Sequence, residues 1–173
     1  PRWKELTQEE KEVRDVSYSL KELDSQDVWS AALFLKRLVR AQCVLIPIPT
    51  SEGCVKANQS LINEILKHTV GGETLDVFGC RNRKSNRLKA IEGNEPGEPE
   101  TLGFYLKKGI EELKGKHIYF VDNMVNTGAT LRACFDLVGF GEGLCFAVSP
   151  RDFVRKEFLG NVEVVNTLEK GEF

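Results

Sequence analysis

Two short apolar runs constrain this chain most: residues 43–48 (Cys-Val-Leu-Ile-Pro-Ile) and 117–121 (His-Ile-Tyr-Phe-Val). Neither alternates polar with apolar, which is the pattern of a strand buried on both faces. Such a strand needs a helix above it and another below. The sequence supplies them. After the first run and a turn, residues 57–67 place Leu61, Ile62, Ile65 and Leu66 at helical spacing. After the second, residues 127–138 do the same and stop at Gly139. Further short strands are predicted at 75–78, 144–148 and 162–165. Strands alternating with helices predict an α/β fold: a parallel sheet of about five strands with helices on both faces.

The first forty residues carry no strand signal. Thr7 and Glu10 form a capping box, and Val13, Val16, Leu20 and Leu23 follow at helical spacing. A second helix is predicted from Ser25 to about Gln42, with a stripe that includes Val28, Ala32, Leu35 and Val39. Residues 1–42 therefore read as an N-terminal helical lobe packed on the core, and 43–173 as the α/β domain. Within that domain, Arg81, Arg83, Lys84, Arg87 and Lys89 precede Glu92, Glu95, Glu98 and Glu100, with glycines and prolines between the acids. Such a stretch buries too little apolar area to offset its ordering entropy, so 81–100 reads as a long mobile surface loop, a length usually kept for function. Leu102, Leu106, Ile110 and Leu113 then predict an amphipathic helix over 101–113, ending at Gly115.

Charge excludes several classes. Lys+Arg is 24 against 26 Asp+Glu, a net charge of −2, which argues against a generally basic nucleic-acid binder. The run at 81–89 is the local candidate for nucleic acid, but a solvated loop offset by the following acids is the favoured reading. No apolar run approaches the roughly 18 residues of a bilayer span, so no membrane partner is expected. Residues 1–11 have no apolar core and do not read as a secretion signal. Five cysteines without a C-x-x-C pair suggest reduced thiols and a cytoplasmic location. Two histidines, His68 and His117, leave a His-rich metal site and a Ser-His-Asp triad poorly supplied. Gly139, Gly141 and Gly143 lie between a helix and the next strand, the wrong side of the sheet for a dinucleotide loop.

Ligands of doubly wound folds sit on the turns at the carboxyl ends of the strands. The turn after the second apolar run reads Asp122-Asn123-Met-Val-Asn126-Thr127-Gly128-Ala129-Thr130. Gly128 lets backbone approach a ligand, the helix start offers free N–H groups and partial positive charge, and Thr127 and Thr130 add hydroxyls. That is a phosphate cradle. Asp122, just upstream, suits sugar hydroxyls or a magnesium ion. The plainer alternative is that Thr127 merely caps the helix. The apolar strand and acid in front of it favour the cradle.

This segment resembles the phosphoribosyl-pyrophosphate motif of the type I phosphoribosyltransferases, an apolar strand, two acids, a short loop and T-G-x-T. Residues 45–53, ending Thr50-Ser51-Glu52-Gly53 and followed by Asn58 and Gln59, are similar to the pyrophosphate loop of the competence-associated branch. The basic loop falls where that family has its flexible hood. The resemblance covers residues 43 to about 150.

It implies that Asp122 and Asn123 take the ribose-contacting positions and that Asn126, Thr127, Gly128, Ala129 and Thr130 surround the 5′-phosphate. Thr50, Ser51, Glu52 and Gly53 would border the pyrophosphate, with Arg81, Arg83 or Lys84 closing over it. Phe153 is the candidate for stacking the base, and the helical lobe would shape the acceptor pocket. Mg²⁺ is the implied cofactor, with Asp122 as its ligand. The implied partners are 5-phosphoribosyl 1-pyrophosphate and a nitrogenous base, and homodimers are common in the family. The implied reaction is transfer of ribose 5-phosphate to that base.

Three departures stand out. Asn123 replaces the second acid. Asn126 replaces the acid that protonates the base in some purine enzymes, which disfavours a hypoxanthine-guanine activity. No cysteine-pair zinc module lies near the N-terminus. Asn123 keeps open a non-catalytic sensor of a phosphoribosyl ligand, and the resemblance of residues 43–67 alone suggests an accessory protein of DNA uptake or modification.

Overall fold

The computed structural model describes residues 7–84, 89, 92 and 98–148. Helix α1 (Gln8–Glu22) and helix α2 (Ser25–Leu35) come first. Asp24 separates them and caps α2, its carboxylate accepting from the backbone N–H groups of Gln26 (3.0 Å) and Asp27 (3.1 Å). Strand β1 (Cys43–Pro47), helix α3 (Lys56–Leu66) and the short strand β2 (Glu73–Thr74) follow. Then come β3 (Phe78–Cys80), β4 (Phe104–Leu106), β5 (His117–Val125), helix α4 (Ala129–Val138) and β6 (Glu142–Val148).

The main sheet runs β2-β1-β5-β6, every neighbour parallel. The fold is α/β, as its alternating elements require. Among the described residues the sheet has four strands rather than five, and the fifth predicted strand, 162–165, lies outside them. Side chains of β1 and β5 divide by parity. Cys43, Leu45, Tyr119 and Val121 join Leu20, Ala31, Leu35, Leu61 and Ile62 beneath α1, α2 and α3. Val44, Ile46, Ile118 and Phe120 join Cys134 and Val138 of α4 on the other face. This explains the unbroken apolar runs, since both faces of these strands are covered.

Three expectations are corrected. The second helix, expected to reach about Gln42, ends at Leu35, and Lys36–Leu38 is a 3₁₀ turn. The predicted strand at 75–78 does not form: β2 ends at Thr74, residues 75–77 are not strand, and Phe78 opens β3, which leaves the main sheet to pair antiparallel with β4. The predicted helix over 101–113 does not form. Pro99–Leu102 is a 3₁₀ turn, stopped by Gly103 at φ 69°, then β4, then a second 3₁₀ turn at Glu111–Leu113. The leucine spacing there fits a helix, but Phe104 and Leu106 also stand two apart around the exposed Tyr105, and that alternation prevails in β4.

Candidate functional site

Strand β1 ends opposite Val121, with the Ile48 N–H donating to the Val121 carbonyl at 3.0 Å, while β5 runs on past the expected end at Val121 to Val125 beside β6. Asp122 follows at this carboxyl edge. Its Oδ1 accepts from the Asn123 N–H (2.8 Å) and from the Asn58 side-chain amide (3.3 Å). The same Asn58 Nδ2 donates to the Ile48 carbonyl at 2.7 Å, so one amide ties the acid to the end of β1. Asn58 is 3% exposed and its Oδ1 has no hydrogen-bond partner.

Burial pushes the Asp122 carboxyl up to about 6, against the opposing pull of the Asn58 amide, the Lys21 charge and the backbone N–H groups of Asn123 and Met124. Two thiols lie nearby. Cys145 stands opposite Asp122 on β6, and Cys134 rises from α4. Burial first, and then the Asp122 charge, lift both well above the ordinary thiol range, so they stay neutral.

The turn into α4 shows why glycine stands at 128. Its φ is 89°, a left-handed conformation that a residue with a Cβ adopts at a cost of about 1–2 kcal/mol. It caps the helix, whereas Thr127, buried, accepts the Ala129 N–H on its Oγ1 at 3.3 Å. Asn126 and Thr130 are partly buried on either side of the turn. The first turn of α4 therefore faces the same edge as Asp122 with its positive dipole end.

The 50–53 turn is closed by its own bonds. Thr50 N–H donates to the Cys54 carbonyl (2.8 Å), Gly53 N–H to the Thr50 carbonyl (2.9 Å), and Thr50 Oγ1 accepts from Glu52 and Cys54 (3.3 Å each). Gly53 has φ 79°, and a Cβ there would stand 2.9 Å from the Cys80 carbonyl oxygen. The end of the β3–β4 ribbon thus leans on this turn. Arg83 extends that contact: its N–H donates to the Ser51 carbonyl at 2.9 Å, and its guanidinium lies 5.7 Å from the centre of the Phe104 ring. Phe104 itself packs on Ala129 and Ala133 of α4. Arg83 is therefore placed between the 50–53 turn and α4, and its buried Nε has no partner.

Asp122 and the Thr127–Thr130 turn follow β5, and the 50–53 turn follows the neighbouring β1, so they lie towards the same edge of the sheet, with Arg83 bonded to the 50–53 turn. Arg81 is exposed and held by its backbone to the Gly103 carbonyl at 3.0 Å, and Lys84 pairs with Glu92 at 2.6 Å. Asn123 does not join them. Its side chain takes the opposite face of β5, is 6% exposed, and donates to the Ser17 carbonyl of α1 at 2.8 Å. Phe153 and Arg87 lie outside the described residues.

Asn58 and Lys21 were not singled out as site residues in the sequence. Asn58 had a signal: it stands three, four and seven positions before Leu61, Ile62 and Ile65, a polar residue on an apolar stripe. Lys21 had none, because its proximity depends on how α1 crosses the sheet.

Among the described residues no group of three or more His, Cys, Asp or Glu forms a metal site. Asp122 is one carboxylate. That donor set fits a magnesium ion that keeps its waters and is shared with ligand phosphates, not a resident ion in an all-protein cage. No helix among the described residues is long and apolar enough to cross a membrane. Scanned against protein-family models and compared with curated proteins, the sequence matched no family and no relative.

Proposed function

We propose that this edge binds 5-phosphoribosyl 1-pyrophosphate and that the protein transfers ribose 5-phosphate to a nitrogenous base. The observation that carries this reading is the position of Arg83. An unpartnered guanidinium nitrogen lies between the 50–53 turn and the start of α4, within a site whose other member is a lone carboxylate. Cation and acid on neighbouring loops suit a ligand with anionic ends and a polyol between them.

In this reading the N–H groups at the start of α4 and the hydroxyl of Thr130 hold the 5′-phosphate. Asp122 accepts from ribose hydroxyls, held at its angle by Asn58. As the bond at the anomeric carbon breaks, positive charge grows on the sugar and negative charge on the departing pyrophosphate. Asp122 offsets the first and Arg83 the second. Asp122 is also the residue that would hold Mg²⁺, which when bound neutralises phosphate charge. Asn126 has no proton to give, so the acceptor must react without an acid at that position. Five free cysteines fit a reducing compartment, and we assign the protein to the cytoplasm.

A second reading is a non-catalytic sensor of the same ligand. The orientation of Asn123 favours it, because one carboxylate instead of two weakens charge stabilisation in the transition state.

Calorimetric titration with phosphoribosyl pyrophosphate, with and without Mg²⁺, tests the site. Magnesium-dependent binding that Asp122→Ala removes is the expected result, followed by a screen of bases for pyrophosphate release. Binding without turnover for any base leaves the sensor. No binding at millimolar ligand to folded protein overturns both.

A further inference from the structure

Asn123 stands where the resemblance leads one to expect a second acid, and its surroundings give it another task. Its Nδ2 donates to the Ser17 carbonyl at 2.8 Å, across 106 positions of sequence. Both ends of this bond are buried: Asn123 is 6% exposed and Ser17 is 0% exposed. The Ser17 hydroxyl is turned back along its own helix, to the Val13 carbonyl at 2.8 Å. The outward bond from Ser17 therefore runs through its backbone carbonyl, which lies inside α1 and accepts the Asn123 amide on its second lone pair, beside the bond of its own helix.

The rest of α1 is loosely held. Leu20 is its one fully buried apolar side chain, packed with Tyr119, Val121 and Leu144, while Val13, Val16 and Leu23 remain partly exposed. A helix with so narrow a buried stripe takes its position from the few contacts it has. Lys21 follows Ser17 by one turn on the same face, so the position of α1 also decides whether that ammonium reaches the strand tip.

Asparagine and ionised aspartate are nearly equal in size and differ in donor capacity. An amide offers two N–H donors, and an ionised carboxylate offers none. An acid at 123 would face the Ser17 carbonyl with like partial charges in a buried contact.

We propose that Asn123 is a positioning residue, a bolt that fastens helix α1 across the carboxyl edge of the sheet, and that this docked helix is incompatible with a carboxylate at 123. The replacement is then an exchange of one ligand group for a fixed wall. The bolt does not depend on the identity of the ligand.

The test is hydrogen exchange of the α1 amides in the full chain, for the wild type, Asn123→Ala and Asn123→Asp. Both variants should exchange at least about tenfold faster over residues 12–22, a factor that one lost buried bond supplies. The β1 and β5 amides should keep their protection. Preserved α1 protection in Asn123→Asp would overturn the proposal, because shape and not donation would then hold the helix.

Titration of the same variants with phosphoribosyl pyrophosphate and Mg²⁺ separates this proposal from the functional reading. Tighter binding by Asn123→Asp than by the wild type would show position 123 to be a ligand position and would also overturn the bolt. Absence of binding in every form would count against the functional reading alone and leave the exchange result standing. If either variant fails to fold, the wild type itself decides by nuclear magnetic resonance. One Asn123 side-chain amide proton should be protected from exchange, and rapid exchange of both would end the proposal.

Discussion

The two ends of the parallel sheet hold charge in opposite ways. At the amino end, Lys116 pairs with Glu73. His117 Nε2 lies 3.0 Å from Glu142 Oε1 at an angle that makes no hydrogen bond. Lys116, Glu73 and Glu142 are half exposed, beside a shallow recess of about 220 Å³ lined by Lys116, His117, Phe140 and Glu142. At the carboxyl end, Asp122 has no ion pair in contact. It is held by neutral groups, the Asn58 amide and the backbone N–H groups of Asn123 and Met124.

Ion pairs in water contribute little and demand little. A carboxylate kept among neutral amides is costly, and a fold retains one where charge is needed for something else. The largest effect should therefore come from Asp122. Replacing it with alanine should weaken binding of phosphoribosyl pyrophosphate by roughly 100-fold, the scale of a lost charged hydrogen-bond partner. Calorimetric titration reads this directly.

The next effect tests whether the site's shape depends on the 50–53 turn. Gly53→Ala places a methyl 2.9 Å from the Cys80 carbonyl oxygen, at a backbone φ of 79°. A backbone oxygen is not the flexible end of a side chain and cannot step aside. Strain and overpacking should together lower stability by about 1–3 kcal/mol, measured by urea unfolding. Because the clash pushes the ribbon off the turn, Arg83 should also lose its place against Ser51. Unchanged stability would show that the contact between turn and ribbon is slack.

The contrast between the two ends was partly legible in the sequence. Residues 118–131 announced a strand, an acid and a glycine-led helix start, because each of those is a local choice. The parallel order also followed from alternation alone. What did not follow was anything set by a distant neighbour. Asn123 reads like Asp122 on paper, being polar and one residue further on. The two divide because successive side chains of a strand take opposite faces, and α1 covers one of them. Leu102, Leu106, Ile110 and Leu113 suggested a helix because their spacing permits it. They became turns and a strand because β3 offered Phe104–Leu106 a partner 24 to 28 residues away in the chain, which no window of periodicity contains.

Acidity gives a smaller effect with a definite sign. Asp122 ionises near 6 in the fold against an ordinary value of 3.8. The folded state therefore binds this proton more tightly than the unfolded chain. The stability it contributes is fully present below pH 4 and is lost as pH rises through 6. Asp122→Asn has no such proton, so its advantage over the wild type should grow from pH 4 to pH 7 in denaturant midpoints. Ligand binding should run the other way, since the ionised form is the one that accepts ribose hydroxyls. Opposed trends in stability and affinity would identify Asp122 as a group held for binding. Parallel trends would show that its burial is only structural.

The smallest expected effect lies at the amino end, and it is the control on the whole comparison. Glu142→Gln removes the charge that His117 faces while keeping the side chain's size. Glu142 is half exposed and makes no hydrogen bond to the ring, so water already does most of what the pair does. Stability should change by no more than about 0.5 kcal/mol, and the affinity for phosphoribosyl pyrophosphate should not change at all. The two ends are joined through β5, from His117 to Val125, whose middle residues are almost fully buried. A well-packed strand transmits displacement, but a rim charge swapped for an amide of equal shape displaces nothing. A measurable fall in affinity for Glu142→Gln would mean that the recess beside Phe140 is coupled to the site, and that charge at the two ends cannot be treated separately.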